Sequence, residues 1–210
     1  MLRRDFIGLL PVGALAAQSR RLTADEALKD LLEGNERFTT GKTMNPRRSP
    51  ADFSKLAPAQ APDAVIVGCS DSRVPPEILF DQGVGDLFVI RVAGNVVGGA
   101  GPTVKGSIAY GVVALGAPLV MVLGHSQCGA VKSALETKEL ALPKSIRDLV
   151  RMVSTGGEKD LDRAIVANVR AGVARLNSLE PTLARYVETK RIKVVGAVYD
   201  LASGKVTLVA

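Results

Sequence analysis

Tryptophan is absent from this 210-residue chain, and aromatic residues are few, with five phenylalanines and three tyrosines. Such a poor supply of rings weakens any role that depends on stacking nucleic-acid bases. No internal segment approaches the roughly 20 consecutive apolar residues needed to span a bilayer, which argues against stable membrane insertion. There is no internal repeat and no low-complexity tract. The formal net charge is +6, but lysine and arginine are scattered, so they read as a solvated surface and not as a nucleic-acid or acidic-lipid face. Against these absences stands a composition that is 47% hydrophobic and only 23% charged, enough for one folded domain with a substantial core. Soft metal-ligating side chains are the scarcest of all: two cysteines and one histidine.

The N-terminus reads as a targeting segment. Arg3-Arg4-Asp5-Phe6-Ile7 is a twin-arginine pattern, followed by a mildly apolar run and Ala14-Leu15-Ala16, which resembles a cleavage site. The expectation is a signal peptide over 1–17 and a periplasmic or otherwise exported protein, cytoplasmic if the signal is not functional. Export into an oxidising compartment makes a Cys69–Cys128 disulfide a rival reading. A twin-arginine route carries folded proteins, so a metal could instead be loaded before export.

From residue 22 onward the pattern is that of an α/β domain. Thr23-Ala24-Asp25-Glu26 is a capping box, opening a helix whose Leu28, Leu31, Leu32 and Phe38 share a face. Residues 39–62 carry Gly41, Pro46, Pro50, Pro58 and Pro62, predicting an extended arm. The division is therefore an N-terminal helix and arm over 22–62 and an α/β domain over 63–210. Apolar β-branched runs at 64–68, 87–92, 119–123 and 192–201 predict strands of a mostly parallel central sheet, with an antiparallel edge strand at 205–209. Helices are expected at 104–115, 130–137, 145–154 and 160–178 to flank it, with Gly106 and Gly111 packing closely on the sheet.

Two segments hold all the soft ligands: Cys69-Ser70-Asp71-Ser72-Arg73 and His125-Ser126-Gln127-Cys128-Gly129. Each follows a predicted parallel strand, so both emerge at the carboxyl-terminal edge where open α/β sheets bind ligands. His125 and Cys128 are three apart, a spacing that turns both toward one point, and a helix beginning near Gly129 favours a Cys128 thiolate. Two Cys and one His with an open fourth position is the ligand count of a catalytic zinc site. Asp71 and Arg73 form a carboxylate–guanidinium pair beside it. Gly94, after the second strand, lets backbone approach the same place.

Cys-x-Asp-x-Arg after one strand and His-x-x-Cys-Gly after a later one resemble the β-class carbonic anhydrases. The similarity extends to Gly34-Asn35-Glu36-Arg37-Phe38, Asp86-Leu87-Phe88-Val89-Ile90-Arg91, Ala93-Gly94-Asn95 and Val195-Gly196-Ala197-Val198-Tyr199-Asp200, from about Leu22 to the end. The resemblance implies one Zn²⁺ per subunit held by Cys69, His125 and Cys128, and reversible hydration of CO₂ to bicarbonate and a proton. It implies that Asp71 orients the reacting water and that Arg73 keeps Asp71 ionised. In part of that family the matching aspartate swings onto zinc as a fourth ligand and closes the site. Some members also bind regulatory bicarbonate with a tryptophan, which this chain lacks. With His125 committed to metal, proton export falls to water and external buffer, or to Tyr110 or Tyr199 at high pH. Val74, Phe80, Val92 and Ala93 are candidate lining for CO₂, and Gln82 a candidate amide for substrate oxygen.

The resemblance further implies a homodimer or tetramer in which the arm wraps a neighbouring subunit. The small-molecule partner is CO₂ or bicarbonate. Two other functions share the same ligands: hydrolysis of a CO₂ analogue such as carbon disulfide, and non-catalytic zinc binding in a regulatory protein. Intact Asp71 and Arg73 argue against the last.

Overall fold

The computed structural model describes residues 21–98, 101–136, 142–178 and 181–210, and the expected signal segment over 1–17 lies outside them. Within these residues, β1 (Ala64–Gly68), β2 (Leu87–Arg91), β3 (Leu119–His125), β4 (Lys193–Tyr199) and β5 (Val206–Leu208) form one sheet in the order β2-β1-β3-β4-β5. The first four strands are parallel, and β5 runs antiparallel to β4. This is the α/β architecture read from the sequence. β1 and β3 are buried along their whole length because both faces are covered, which is why each is a run without polar alternation.

The order of the strands creates the site. After β1 the chain adds β2 on one side, then returns to add β3 on the other. Strand order therefore reverses between β1 and β3, and a crevice opens at their carboxyl ends. Gly68 pairs with Leu123, so Cys69 and His125 leave neighbouring strands at the same edge.

Alternating side chains of the central strands feed two covering layers. Ile66, Met121 and Leu123 pack under α1 (Ala24–Thr39) and α3 (Pro76–Leu79). Val65, Val67, Val120 and Val122 face the other way, onto α4 (Gly101–Ala109), α7 (Leu161–Ser178) and α8 (Pro181–Glu188). A smaller cluster at the carboxyl edge gathers Cys69, Val96, Cys128, Val131, Val153 and Ile165. Val131 there comes from α5 (Gly129–Leu135), and Val153 follows α6 (Lys144–Val150).

The N-terminal helix begins at the expected capping box: Glu26 N donates to Thr23 Oγ1 at 3.2 Å, and Thr23 N donates to Glu26 Oε2 at 2.8 Å. The helix packs on its own sheet domain. Ala27, Leu28 and Leu31 are buried in the main core, and Gly34 lets the helix press on α3 so tightly that a Cβ would lie 1.8 Å from the Phe80 carbonyl oxygen. The buried Asn35 side chain donates to Leu79 O and Gly204 O and accepts from Val206 N, tying α1 to α3 and to the C-terminal strand.

The expected arm is corrected. It is not extended throughout, because Ser49 and Asp52 cap a helix, α2 (Pro50–Leu56), with Pro50 in its first turn where a missing N–H costs nothing. Nor does it hang free. Asp81, fully buried, accepts from Arg37 Nε at 2.7 Å and from the Met44 and Asn45 amides, and Arg47 forms a bidentate pair with Asp86. The expected helix over 104–115 becomes α4 followed by a π-helical turn at Tyr110–Ala114. Gly111 there does pack on the sheet, where a Cβ would lie 2.6 Å from Val65 Cγ2, but Gly106 faces open space. Helices α3 and α8 are additions to the elements expected from the sequence.

Candidate metal centre

Cys69 follows β1, His125 ends β3, and Cys128 is the residue that precedes α5. Their donor atoms lie within 4.8 Å of one another, and all three residues are buried. Both cysteines are free thiols, so the rival disulfide is not formed. The sequence-predicted donors therefore converge as their strand positions require.

Each donor has its orientation fixed from behind. His125 Nδ1 lies 2.9 Å from Ser126 O, and a carbonyl only accepts, so Nδ1 carries the proton and Nε2 presents its lone pair. That Nε2 is fully buried and, among the described residues, has no hydrogen-bond partner. An orphaned buried acceptor costs roughly 1–3 kcal/mol, and facing two sulfurs it is the arrangement a metal ligand requires. The Gly94 amide donates to Cys69 Sγ at 3.3 Å, made possible by the left-handed backbone of Gly94 at φ 73°. Close approach of backbone at Gly94 is therefore present as expected. The amides of Ala130 and Val131 favour the Cys128 thiolate in the same way.

The two sulfurs titrate unequally. Cys128 beside it is the largest influence on Cys69 and holds it down to about 4, with help from His125 and the Gly94 and Asp71 amides against burial. The neighbouring Cys69, together with burial, pushes Cys128 up. A divalent cation held by these residues would supply the counter-charge that allows both sulfurs to be thiolates. Sulfur, sulfur and imidazole nitrogen are the donor set of tetrahedral zinc with one position left open.

Asp71 stands at the rim of this group, with Oδ2 3.8 Å from His125 Nε2. It is turned toward Arg73, whose main-chain N and Nε donate to Oδ1 at 3.0 and 2.9 Å while Nη2 donates to Oδ2 at 2.8 Å. This grip, opposed only by partial burial, holds the Asp71 carboxyl far below the usual carboxylate range. Asp71 is thus held by Arg73 and is not one of the three converging donors. Sequence reasoning assigned no role to Arg91, which spans the loop from the end of β2. Its Nε donates to Cys69 O at 3.0 Å and its Nη2 to Asp71 O at 2.5 Å. A basic residue at the carboxyl end of a strand neighbouring β1 was the available signal.

Other candidates fall elsewhere. Val74 and Phe80 are fully buried in the main core. Gln82 is likewise buried, and its Nε2 is committed to Asp30 Oδ2 at 2.9 Å and Phe80 O at 3.2 Å, which removes it as a donor to substrate. Val92 packs against the small cluster that contains both cysteines. Tyr110 is half exposed against Phe88, whereas Tyr199 is buried and its hydroxyl pushed up by that burial and by Asp200.

The family profile described as carbonic anhydrase matches residues 64–206. The chain is 41% identical to carbonic anhydrase 2 of Mycobacterium tuberculosis over 191 residues, 87% of this chain and 91% of that protein. It is 40% identical to a carbonic anhydrase of Mycolicibacterium smegmatis over 199 residues, 90% of this chain and 94% of that one. Among solved structures, the β-carbonic anhydrase CcaA superposes with a TM-score of 0.69 at 28% identity, covering 86% of this chain and 94% of its own. A tetrameric β-carbonic anhydrase of Sordaria macrospora matches equally, with a TM-score of 0.69 at 26% identity, covering 86% and 95%. Two thiolates and an imidazole at the switch point of a 2-1-3-4-5 sheet, a profile over most of the domain, and relatives matched nearly end to end lead to one conclusion: the chain belongs to the β-class carbonic anhydrases.

Proposed function

We propose that the activity of this family, zinc-dependent reversible hydration of CO₂ to bicarbonate and a proton, is carried here by Cys69, His125 and Cys128 as metal ligands, with Asp71 and Arg73 beside them. The carrying observation is the buried, unpartnered Nε2 of His125 facing two sulfurs. Zinc held there would supply Lewis acidity that brings the pKa of a bound water toward neutrality. Everything else is done by the chain. Asp71, kept ionised by Arg73, accepts a proton-bearing oxygen's hydrogen bond and turns its lone pair toward CO₂. Arg73 holds that carboxylate in one orientation, and Arg91 holds the loop that carries it. The buried walls of the cluster exclude bulk water from the donors, and His125 keeps its proton on Nδ1 throughout.

Carbon disulfide hydrolysis and a non-catalytic zinc role are not favoured by the relatives, which bear the name carbonic anhydrase. Assembly follows the family: the chain oligomerises, as its structural neighbours include tetramers, and a homodimer or tetramer is the proposed state. Export through the twin-arginine segment remains part of the proposal, supported by Arg3-Arg4-Asp5-Phe6-Ile7. Cofractionation with the periplasm and mass spectrometry of the mature N-terminus test it. For the activity itself, stopped-flow CO₂ hydration is compared between zinc-loaded protein and Cys69→Ser. A drop of at least about 100-fold in the variant is expected from loss of a ligand; equal rates exclude the assignment.

A further inference from the structure

Asn168 lies on α7, far from either cysteine in sequence, and is only 4% exposed. Both ends of its amide are used. Nδ2 donates to Gly94 O at 2.8 Å, and Oδ1 accepts from Ser154 N at 3.0 Å. Gly94 is the residue whose own amide donates to Cys69 Sγ. The residue is therefore held at its carbonyl by Asn168 while its N–H, in the preceding peptide group, is directed at the sulfur. Gly94 is closely packed on one side, where a Cβ would lie 3.0 Å from Ala130 Cβ and 3.2 Å from Val153 Cγ2. Ala130 follows Cys128 by two residues, and Val153 adjoins the Ser154 amide held by the same Asn168.

We propose that Asn168 is a positioning residue for Cys69, acting through the Gly94 main chain to fix the hydrogen bond that the thiolate receives. The proposal rests on the reading that Cys69, His125 and Cys128 hold zinc. An amide N–H aimed at a thiolate withdraws charge from the sulfur and fixes where its remaining lone pairs point. Both properties set how strongly the sulfur binds a metal. Asparagine suits the task because one planar group donates to Gly94 and accepts from Ser154 without a charge. Aspartate keeps the shape and the Ser154 acceptor but places an oxygen against the Gly94 carbonyl, which repels it.

The test uses the full chain loaded with Co²⁺ and, separately, with Zn²⁺. In Asn168→Asp the thiolate-to-cobalt charge-transfer band is expected to shift, and zinc affinity by chelator competition to fall about 10- to 100-fold. The metal-free variant's thermal unfolding, measured alongside, separates this from loss of fold. Gly94→Ala is the second variant, because it disturbs the same link while leaving Asn168 in place. The two effects on zinc affinity should be non-additive, with Asn168→Asp costing little in the Gly94→Ala background. An unshifted band and affinity within about twofold of wild type overturn the role of Asn168, as does full additivity. Should Asn168→Asp fail to fold, Gly94→Ala decides alone, and an unshifted band there overturns the proposal. A wild-type protein with no thiolate-to-cobalt band contradicts the underlying zinc reading instead.

Discussion

Arg73 commits its main-chain amide and two guanidinium nitrogens to a single carboxylate, an unusually complete grip for a residue whose side chain is more than half exposed. An exposed ion pair alone contributes at most about 1 kcal/mol to stability, so its value here lies in aiming Asp71. Arg73→Gln should therefore leave the fold and the zinc content intact while kcat/KM for CO₂ hydration falls about 10- to 100-fold. Loss of zinc from that variant would show that Arg73 supports the ligands and not the water. At the same scale lies the proton. The chain's single histidine is buried with its Nδ1–H on a carbonyl, so it cannot ferry protons to solvent. Steady-state hydration at neutral pH should rise with the concentration of an imidazole-type buffer, and a buffer-independent rate would reveal an internal shuttle. The donor residues were legible in the sequence because they are scarce. Asn168 and Ser126 O were not: an asparagine on a helix and a main-chain carbonyl carry no signal until the fold puts them beside the ligands.

Helices α1 and α2 and the segment between them show what local pattern misses. The apolar face of α1 was visible, but its partners were not, because Asn35 bonds to Gly204 and Val206 across nearly the whole chain. Leu31, 3% exposed in the main core, should cost about 2–5 kcal/mol when truncated to alanine, read from urea unfolding. A value below 1 kcal/mol would mean that α1 docks only on another subunit. The prolines of 39–62 suggested an extended arm, yet Pro50 begins a helix and Asp81 collects the backbone of 44–45. Burial pushes the Asp81 carboxyl up, but Arg37 and the two amides outweigh it and hold it below its ordinary value. A lowered folded-state value stabilises the protein above the unfolded carboxylate value of about 3.9, and that contribution is lost as pH falls through the folded value. The stability gap between wild type and Asp81→Asn should accordingly be largest near neutrality and close in acid, and the variant should be cleaved faster by protease between 42 and 48. A gap that is constant with pH would contradict the ionised strap.

For the molecule as a whole, the order β2-β1-β3-β4-β5 is what brings Cys69 and His125 together, and the sheet that carries them was readable from its unbroken β-branched runs. The exact switch point was not, since strand order is a matter of how crossovers pack and not of any one segment. Its consequence is that ligands 56 positions apart in the chain form one buried donor group, Cys69 and His125 with Cys128. The most direct test is a titration of Zn²⁺ into metal-free protein, with CO₂ hydration followed by stopped flow after each addition. Activity is predicted to rise linearly and break at one zinc per chain, with no rise at all in His125→Ala. Activity that precedes zinc addition, or that climbs without a break at that ratio, would contradict a single catalytic zinc on Cys69, His125 and Cys128.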